Sequence, residues 1–335
     1  MQKRNLGSTN LKVSEIGFGG IPIQQVNQEE SNKLINHLIE NNINFIDTAR
    51  GYTVSEELLG NALVGKRDKF ILATKSMAKT YETMKNDINA SLLNLKTNFI
   101  DLYQCHLIKN KEEYNLIMSE NGAYKALKEA QDNGQIGHIG ITVHSLDFLL
   151  SIFEEMPFKT IQFPYNILET QGEELFKKAK LKNIGVIVMK PLAGGFLEDS
   201  ELALKFVLNN PNISVAIPGM YAQSEIEKNA STSKFIVLSE TEKQKIKEIQ
   251  ETYSNDFCRR CGYCMPCPIG VEIPGSLMMA GYFIRYNLKE WARSRYETFP
   301  KRASDCIACG ACLPKCPYDL NIIEKLKEVK NIFGK

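Results

Sequence analysis

Short apolar runs alternate with amphipathic stretches eight times over most of the chain, and no other feature constrains the fold as strongly. The runs expected to be strands are 15–19, 45–48, 69–74, 100–105, 138–143, 160–163, 185–189 and 214–217. Helical periodicity fills 29–40, 55–63, 81–95, 122–133, 146–153, 172–182, 200–209 and 222–230. The strand runs are nearly continuous in apolar residues, as expected when both faces are covered. Strict alternation predicts a parallel α/β fold, and eight units over about 230 residues suit a (β/α)8 TIM barrel better than an open sheet. An open doubly wound sheet ordinarily carries G-x-G-x-x-G after its first strand, whereas residues 17–22 read G-F-G-G-I-P. Ahead of the first strand the chain reads as a short hairpin.

Composition narrows the setting. A 43% hydrophobic and 24% charged chain is ordinary for a globular protein. The net charge of +2, with no basic arm or dense Lys/Arg face, gives no footprint for nucleic acid. Residues 1–10 contain no apolar core of a secretory signal, and no apolar run reaches the roughly 18 residues of a membrane span. The expectation is a cytoplasmic protein that engages neither nucleic acid nor membrane. Cysteine is unevenly spread: Cys105 stands alone, and the other eight of nine fall between Cys258 and Cys316. An odd count with tight spacing argues against a disulfide framework. The composition shift near residue 255 divides the chain into 1–254 and 255–335.

In a barrel of this kind the chemistry sits at the C-terminal ends of the strands. Asp47 follows the second strand, Lys75 the third and His106 the fourth, with Tyr52 on the loop after Asp47. Any one of these could be ordinary mouth polarity; four at successive strand ends point to a common site. A free tyrosine, with a pKa of about 10, is a poor acid at neutral pH. A buried ammonium within reach makes such a phenol more acidic, and a carboxylate keeps that ammonium charged and oriented. An imidazole beside the phenol can orient a carbonyl oxygen. The set suits protonation of a carbonyl oxygen as a hydride reaches its carbon.

These residues and their contexts resemble the aldo-keto reductases. D-T-A-x-x-Y at 47–52, A-T-K at 73–75 and I-D-L-Y-Q-C-H at 100–106 match the family's catalytic set over roughly residues 1–235. The resemblance implies Tyr52 as general acid, Lys75 and Asp47 as the groups that tune it, and His106 as the group that places the substrate. It also implies NAD(P)H extended across the barrel mouth. Gly20, Ile21, Thr142 and Gln162 would lie beside the nicotinamide, with Val143 where many members have asparagine. Met189 in V-M-K-P-L-A-G-G stands where the family usually stacks an aromatic ring, followed by Pro191, Leu192 and Gly194. At the phosphate end the loop I-P-G-M-Y-A-Q-S-E-I-E-K-N supplies Pro218, Gly219, Glu225 and Asn229. Gly219 and Glu225 replace the lysine and arginine that hold a 2′-phosphate, which favours NADH over NADPH, or a flavin in an altered groove. A carboxylate repels a phosphate and accepts hydrogen bonds from ribose hydroxyls.

The tail carries Cys258-x2-Cys261-x2-Cys264-x2-Cys267-Pro268 and then Cys306-x2-Cys309-x2-Cys312-x3-Cys316-Pro317. The second run has the bacterial ferredoxin spacing for a [4Fe–4S] cluster, and the first differs only in a shorter last gap. Two four-cysteine zinc sites are the competing reading, but paired knuckles do not need third and fourth cysteines at these spacings. In two-cluster ferredoxins the fourth cysteine of each run serves the other cluster. That pattern groups Cys258, Cys261, Cys264 and Cys316, and separately Cys306, Cys309, Cys312 and Cys267. Residues 274–299 and 320–332 have helical periodicity, so the module is expected to be mainly helical. The whole chain then resembles the aldo-keto reductases that carry a C-terminal ferredoxin-like domain.

The resulting expectation is an iron–sulfur oxidoreductase that reduces a small carbonyl compound or oxidises an alcohol. Nicotinamide delivers two electrons and a cluster one, so the clusters are either structural or redox-sensing, or they exchange electrons with the site, with a flavin or an electron-transfer protein as partner. A non-catalytic redox-sensing or electron-carrier subunit is the alternative. Substrate selection is expected from 109–121. Cys105, His138 and His144 read as packing residues, and His37 as surface or boundary.

Overall fold

The computed structural model describes residues 1–234, 236–253 and 255–334. The chain divides into two compact units. The first comprises Met1–Asn166, Thr170–Leu192 and Asp199–Leu238; the second comprises Ile167–Glu169, Ala193–Glu198 and Ser239–Lys335.

The first unit opens with an antiparallel hairpin, β1 (Lys3–Asn5) and β2 (Lys12–Ser14), and then builds an eight-stranded parallel sheet. Its strands are β3 (Phe18–Gly19), β4 (Phe45–Asp47), β5 (Ile71–Ser76), β6 (Ile100–Ile108), β7 (Ile136–Val143), β8 (Thr160–Pro164), β9 (Gly185–Met189) and β10 (Val215–Ile217). They neighbour one another in chain order, and parallel bridges Ile16↔Ala216 and Gly19↔Gly219 bring the first strand back to the last. This is the expected (β/α)8 barrel. The helices are α1 (Gln28–Glu40), α2 (Ser55–Ala62), α3 (Tyr81–Asn94), α4 (Lys111–Met118), α5 (Ala123–Asp132), α6 (Leu146–Ile152), α7 (Glu173–Leu181), α8 (Ser200–Leu208) and α9 (Gln223–Thr232).

Period-two alternation gives each strand two jobs. Outward residues such as Ile46, Leu72, Tyr103, Ile141, Phe163 and Val188 pack in the main core with the surrounding helices. Inward residues form a smaller core: Phe45, Ala73, Leu102, Ile187 and Val215, joined by Leu6 and Val13 of the opening hairpin. Two residues further along the same faces stand Asp47, Lys75, Gln104 and Met189. On β4, β5 and β6 the lumen therefore changes from apolar to polar toward the C-terminal ends, while Met189 and Ile217 keep it apolar on β9 and β10, and that asymmetry sets the site. Gly7 is required where the hairpin approaches the barrel: its φ is +54°, and a Cβ would lie 2.2 Å from the Gly185 nitrogen.

The structure departs from the sequence reading in detail. Residues 109–121 contain α4, capped by Asn110, whose side chain accepts from the Glu113 N–H at 2.9 Å. Strand β6 runs past His106, with a register shift between Cys105 and Ile108 that turns the chain at the mouth.

The second unit contains α10 (Glu240–Tyr253), α11 (Ile273–Arg285), α12 (Lys289–Glu297) and α13 (Ile322–Phe333). Val271, Ile273, Met279, Ala292, Tyr296, Leu326, Val329 and Phe333 form its own core. Tyr296 and Phe333 stack there at 4.2 Å between ring centroids. Among the described residues the cysteine segments consist of turns and one short 3-10 helix, Ala303–Asp305, which ends at Cys306.

Candidate functional site

Asp47 ends β4 and Lys75 lies near the end of β5, both on the lumen face and both buried. The Lys75 ammonium donates to Asp47 Oδ2 and, at 2.7 Å, to the Thr48 carbonyl. Burial pulls the Lys75 pKa below its ordinary value, and the Asp47 carboxylate opposes that shift. Removing either partner would leave the other charge buried, at a cost of about 3–5 kcal/mol. Asp47 Oδ1 accepts from Gln104 Nε2 at 3.2 Å and from Gln162 Nε2 at 2.9 Å. Three donors thus fix one carboxylate.

Tyr52 sits on the loop after β4, half-buried, with the Lys75 ammonium 5.1 Å from its ring centroid. The His106 ring meets it edge-on at 6.1 Å between centroids. Burial, then Lys75 and Lys190, holds the His106 pKa well below the ordinary imidazole value, so the ring is neutral at neutral pH. The Tyr52 loop is held by backbone bonds from the Arg50 N–H to the Lys75 carbonyl (3.0 Å) and from the Tyr52 N–H to the Ala49 carbonyl (3.0 Å). Beneath it, buried Glu56 accepts from Arg50 (2.6 Å), Thr74 (2.8 Å) and Ser91 (2.8 Å). The four residues marked by the sequence are therefore assembled at one end of the barrel.

Gln104, Glu56 and Arg50 were missed. Gln104 was recoverable, because it lies two residues before His106 on the same strand face. Lys190 and His144 were also passed over as site residues: Lys190 Nζ lies 3.1 Å from His144 Nε2 at the ends of β9 and β7. Cys105 is fully buried, as expected. His37 is partly exposed between Glu40 and Glu227.

The residues proposed for a nucleotide are placed unevenly. Thr142 and Gln162 are buried at the ends of β7 and β8, Gly20 is buried, and Ile21 and Met189 are half-buried. Thr142 Oγ1 accepts from the Leu107 N–H at 2.7 Å, which leaves the hydroxyl proton to donate. Pro191 and Leu192 belong to the barrel unit. Gly194 belongs to the second unit, where its carbonyl accepts from Arg285 Nε at 2.8 Å. Pro218 and Gly219 precede α9, buried Asn229 lies within it, and Glu225 Oε2 accepts from the Tyr221 and Ala222 N–H groups at 2.8 and 3.0 Å. Two buried atoms among these mouth residues have no protein partner, Gln104 Oε1 and His106 Nδ1. Orphaned polar atoms at the mouth suit a hydrogen-bonding ligand such as a carboxamide or a carbonyl.

In the second unit, one cavity is lined by Cys258, Cys261, Cys264 and Cys316 together with apolar Ile273, Leu277 and Ile322. Three of these cysteines come from the first run and the fourth from the second. Cys306, Cys309 and Cys267 lie near enough to Cys312 to act on its thiol electrostatically, and Cys312 acts likewise on Cys264 of the first set. Among the described residues no three Cys, His, Asp or Glu close on a single ion. One tetrahedral ion would bring thiolates to about 3.8 Å from each other, whereas four cysteines set farther apart would each hold one iron of a [4Fe–4S] cluster. Burial pushes the Cys261 thiol up to about 11 and Cys264 up to about 12. Thiols in such surroundings ionise when a metal supplies the compensating charge. Two sets of four thiols, one lining a cavity, fit two [4Fe–4S] clusters.

A family model described as the aldo/keto reductase family matches residues 15–202, more than half of the chain. The chain belongs to the aldo/keto reductase family. It is an oxidoreductase whose C-terminal part, residues 257–321, matches a 4Fe-4S dicluster domain. The family uses NAD(P)H, and membership implies a small-molecule carbonyl substrate. An L-galactose dehydrogenase of Arabidopsis thaliana is 28% identical over 305 residues, covering 76% of this chain and 92% of the relative. The aldo-keto reductase YhdN of Bacillus subtilis is 31% identical over 59% of this chain and 64% of its own length. The holo form of aldo-keto reductase AKR11C1 from Bacillus halodurans shares the fold with a TM-score of 0.64 at 24% identity, covering 74% of this chain and 96% of that one. Among the described residues no helix is long and apolar enough to cross a membrane.

Proposed function

We propose that the barrel reduces a small carbonyl compound, or oxidises the corresponding alcohol, with Tyr52 as the general acid or base. The observation that carries this reading is the buried Asp47–Lys75 pair with the Tyr52 ring 5.1 Å from its ammonium and His106 at the ring edge. A reduced nicotinamide, when bound, supplies the hydride. The Tyr52 hydroxyl gives its proton to the carbonyl oxygen, and Lys75 stabilises the phenolate left behind. Asp47 keeps Lys75 charged and aimed. Neutral His106 can donate a hydrogen bond that orients the carbonyl oxygen.

NADH is the favoured nucleotide. Glu225 places a carboxylate against the Tyr221 and Ala222 N–H groups just ahead of α9, where a 2′-phosphate would need positive charge. That carboxylate repels a 2′-phosphate. The second unit is read as a ferredoxin-like domain over 255–335, with 1–254 as the catalytic domain and the two sets of four cysteines as cluster ligands. Exposed Cys309 beside exposed Ile307 supports an electron-transfer protein as partner for the second set. Eight thiols in tight runs suit the reducing cytoplasm.

The test is Tyr52→Phe in anaerobically purified, iron-loaded protein. Substitution of Lys75 or Asp47 would confound catalysis with folding; removal of one hydroxyl does not. Turnover should fall by about 10²-fold or more while nucleotide binding stays intact. Full turnover would sink the assignment. Fluorescence titration should show tighter NADH than NADPH binding, and analysis of co-purifying nucleotide separates NAD, NADP and flavin.

A further inference from the structure

The two cysteine sets have different electrostatic surroundings. Between Cys258 and Cys261 the chain places Arg259 and Arg260, and both line the cavity formed by Cys258, Cys261, Cys264 and Cys316. The Arg260 backbone N–H bonds the Cys258 thiol, and its Nη1 donates to the Cys258 carbonyl at 3.0 Å. Its Nη2 reaches both carboxylate oxygens of Glu169 at 2.8 Å, and Glu169 is fully buried. Arg259 Nε donates to the Leu168 carbonyl at 2.9 Å, and its guanidinium stacks 3.9 Å from the Tyr318 ring centroid. Both arginine side chains are largely shielded from water, so solvent does little to screen their charge.

The other run has no arginine between its cysteines. Ile307, Ala308, Gly310 and Ala311 separate Cys306, Cys309 and Cys312. The flanking charges are half-buried Asp305 and exposed Lys315, and Cys309 itself is exposed. Cluster potential is set by net charge, hydrogen bonds to sulfur and solvent exposure. Charge separates the two sets, whereas the exposure of Cys309 acts the other way, because water also stabilises a more negative cluster. Cationic, sulfur-bonded surroundings raise the potential of the first set, because they stabilise the more negative reduced state.

We propose that Arg259 and Arg260 make the two clusters unequal: the site of Cys258, Cys261, Cys264 and Cys316 has the higher reduction potential, and Glu169 limits how much higher. Glu169 belongs to the short segment Ile167–Glu169, which continues the chain from β8, the strand that carries Gln162. The inference rests on the two-cluster reading.

The test uses the full chain, reconstituted anaerobically with iron and sulfide and titrated potentiometrically with electron paramagnetic resonance as readout. Iron analysis comes first: a native protein that holds clearly fewer than about eight irons per chain overturns the two-cluster reading, and this proposal with it. With both clusters present, the native chain should show two separate midpoints. Arg260→Gln should lower the upper one and Glu169→Gln should raise it, with the lower midpoint unmoved in each. Both substitutions break the same ion pair, so a merely structural role would shift the two variants alike. Coincident native midpoints, shifts of the same sign, or movement of the lower midpoint would overturn the proposal. Should Arg260→Gln lose iron from that site, Arg259→Gln carries the same test: a lowered upper midpoint supports the assignment and an unmoved one defeats it.

Discussion

Gln162 Nε2 lies 2.9 Å from Asp47 Oδ1, although β8 and β4 are separated by three strands on either side of the closed barrel. The bond spans the lumen. It ties a residue marked by resemblance as a nicotinamide contact to the carboxylate that holds Lys75.

That bond separates two roles for Gln162. If it chiefly holds Asp47, Gln162→Leu removes a charge-assisted hydrogen bond of about 1.5–3 kcal/mol and loosens Lys75. The expected outcome is a fall in kcat of about tenfold or more with little change in nucleotide affinity. A raised nucleotide KM with unchanged kcat would assign Gln162 to the cofactor instead.

The pH dependence of stability follows from His106. Burial, with Lys75 and Lys190 nearby, holds its folded pKa well below the roughly 6.5 of a free imidazole. As pH falls below about 6.5 the unfolded chain takes up this proton first, so it binds more protons than the folded chain and stability drops. The contribution is fully present above pH 6.5 and is lost on acidification toward the folded pKa. Urea midpoints should be level from pH 8 to 7 and decline below 6.5, and His106→Asn should flatten the decline. Part of the slope should persist, because burial pushes His138 the same way. A variant with the native slope would show that His106 is not the group responsible.

Local physics explains which parts of this site the sequence exposed. Asp47, Lys75 and His106 fall where apolar strand runs give way to polar residues, and a (β/α)8 barrel sends those positions to one rim. Gln104 was equally available on the lumen face, but an uncharged amide inside a strand gives no comparable signal. The α4 helix was announced by Asn110 and Glu113 at N-cap spacing, a pattern easily lost inside a long connection. Glu225 could be read as a ribose ligand or as a helix cap, and only the bonds from Tyr221 and Ala222 show that its Oε2 serves the cap. The joining of Ile167–Glu169 to the second unit depends on contacts distant in sequence, which no periodicity encodes.

Gly60 sets helix propensity against packing. It lies inside α2, where alanine would gain about 1 kcal/mol of intrinsic helix preference. A Cβ there would stand 2.0 Å from the Asn94 carbonyl oxygen and 2.7 Å from Leu95 Cα, both backbone atoms at the end of α3. Backbone cannot rotate away as a side chain can, so the overpacking cost of about 1–3 kcal/mol wins. Gly60→Ala should lower the thermal midpoint of the barrel, whereas a rise would mean that α3 yields readily.

Iron removal should loosen the second unit selectively. Its helices share a core of Val271, Ile273, Tyr296, Leu326, Val329 and Phe333, and α13 is fixed by the Tyr296–Phe333 stack. Among the described residues the cysteine segments are held by isolated turn bonds, such as those from the Cys306 N–H to the Ala303 carbonyl (3.1 Å) and from the Cys316 N–H to the Leu313 carbonyl (3.1 Å), so thiolate ligation is their main restraint. Chelation under reducing conditions should therefore release amide protection over 257–270 and 306–320 while α11 and α13 keep much of theirs. Hydrogen exchange with and without iron reads this directly. Loss of protection throughout α11–α13 together with the loops would show that the metal, rather than the aromatic core, holds the unit together.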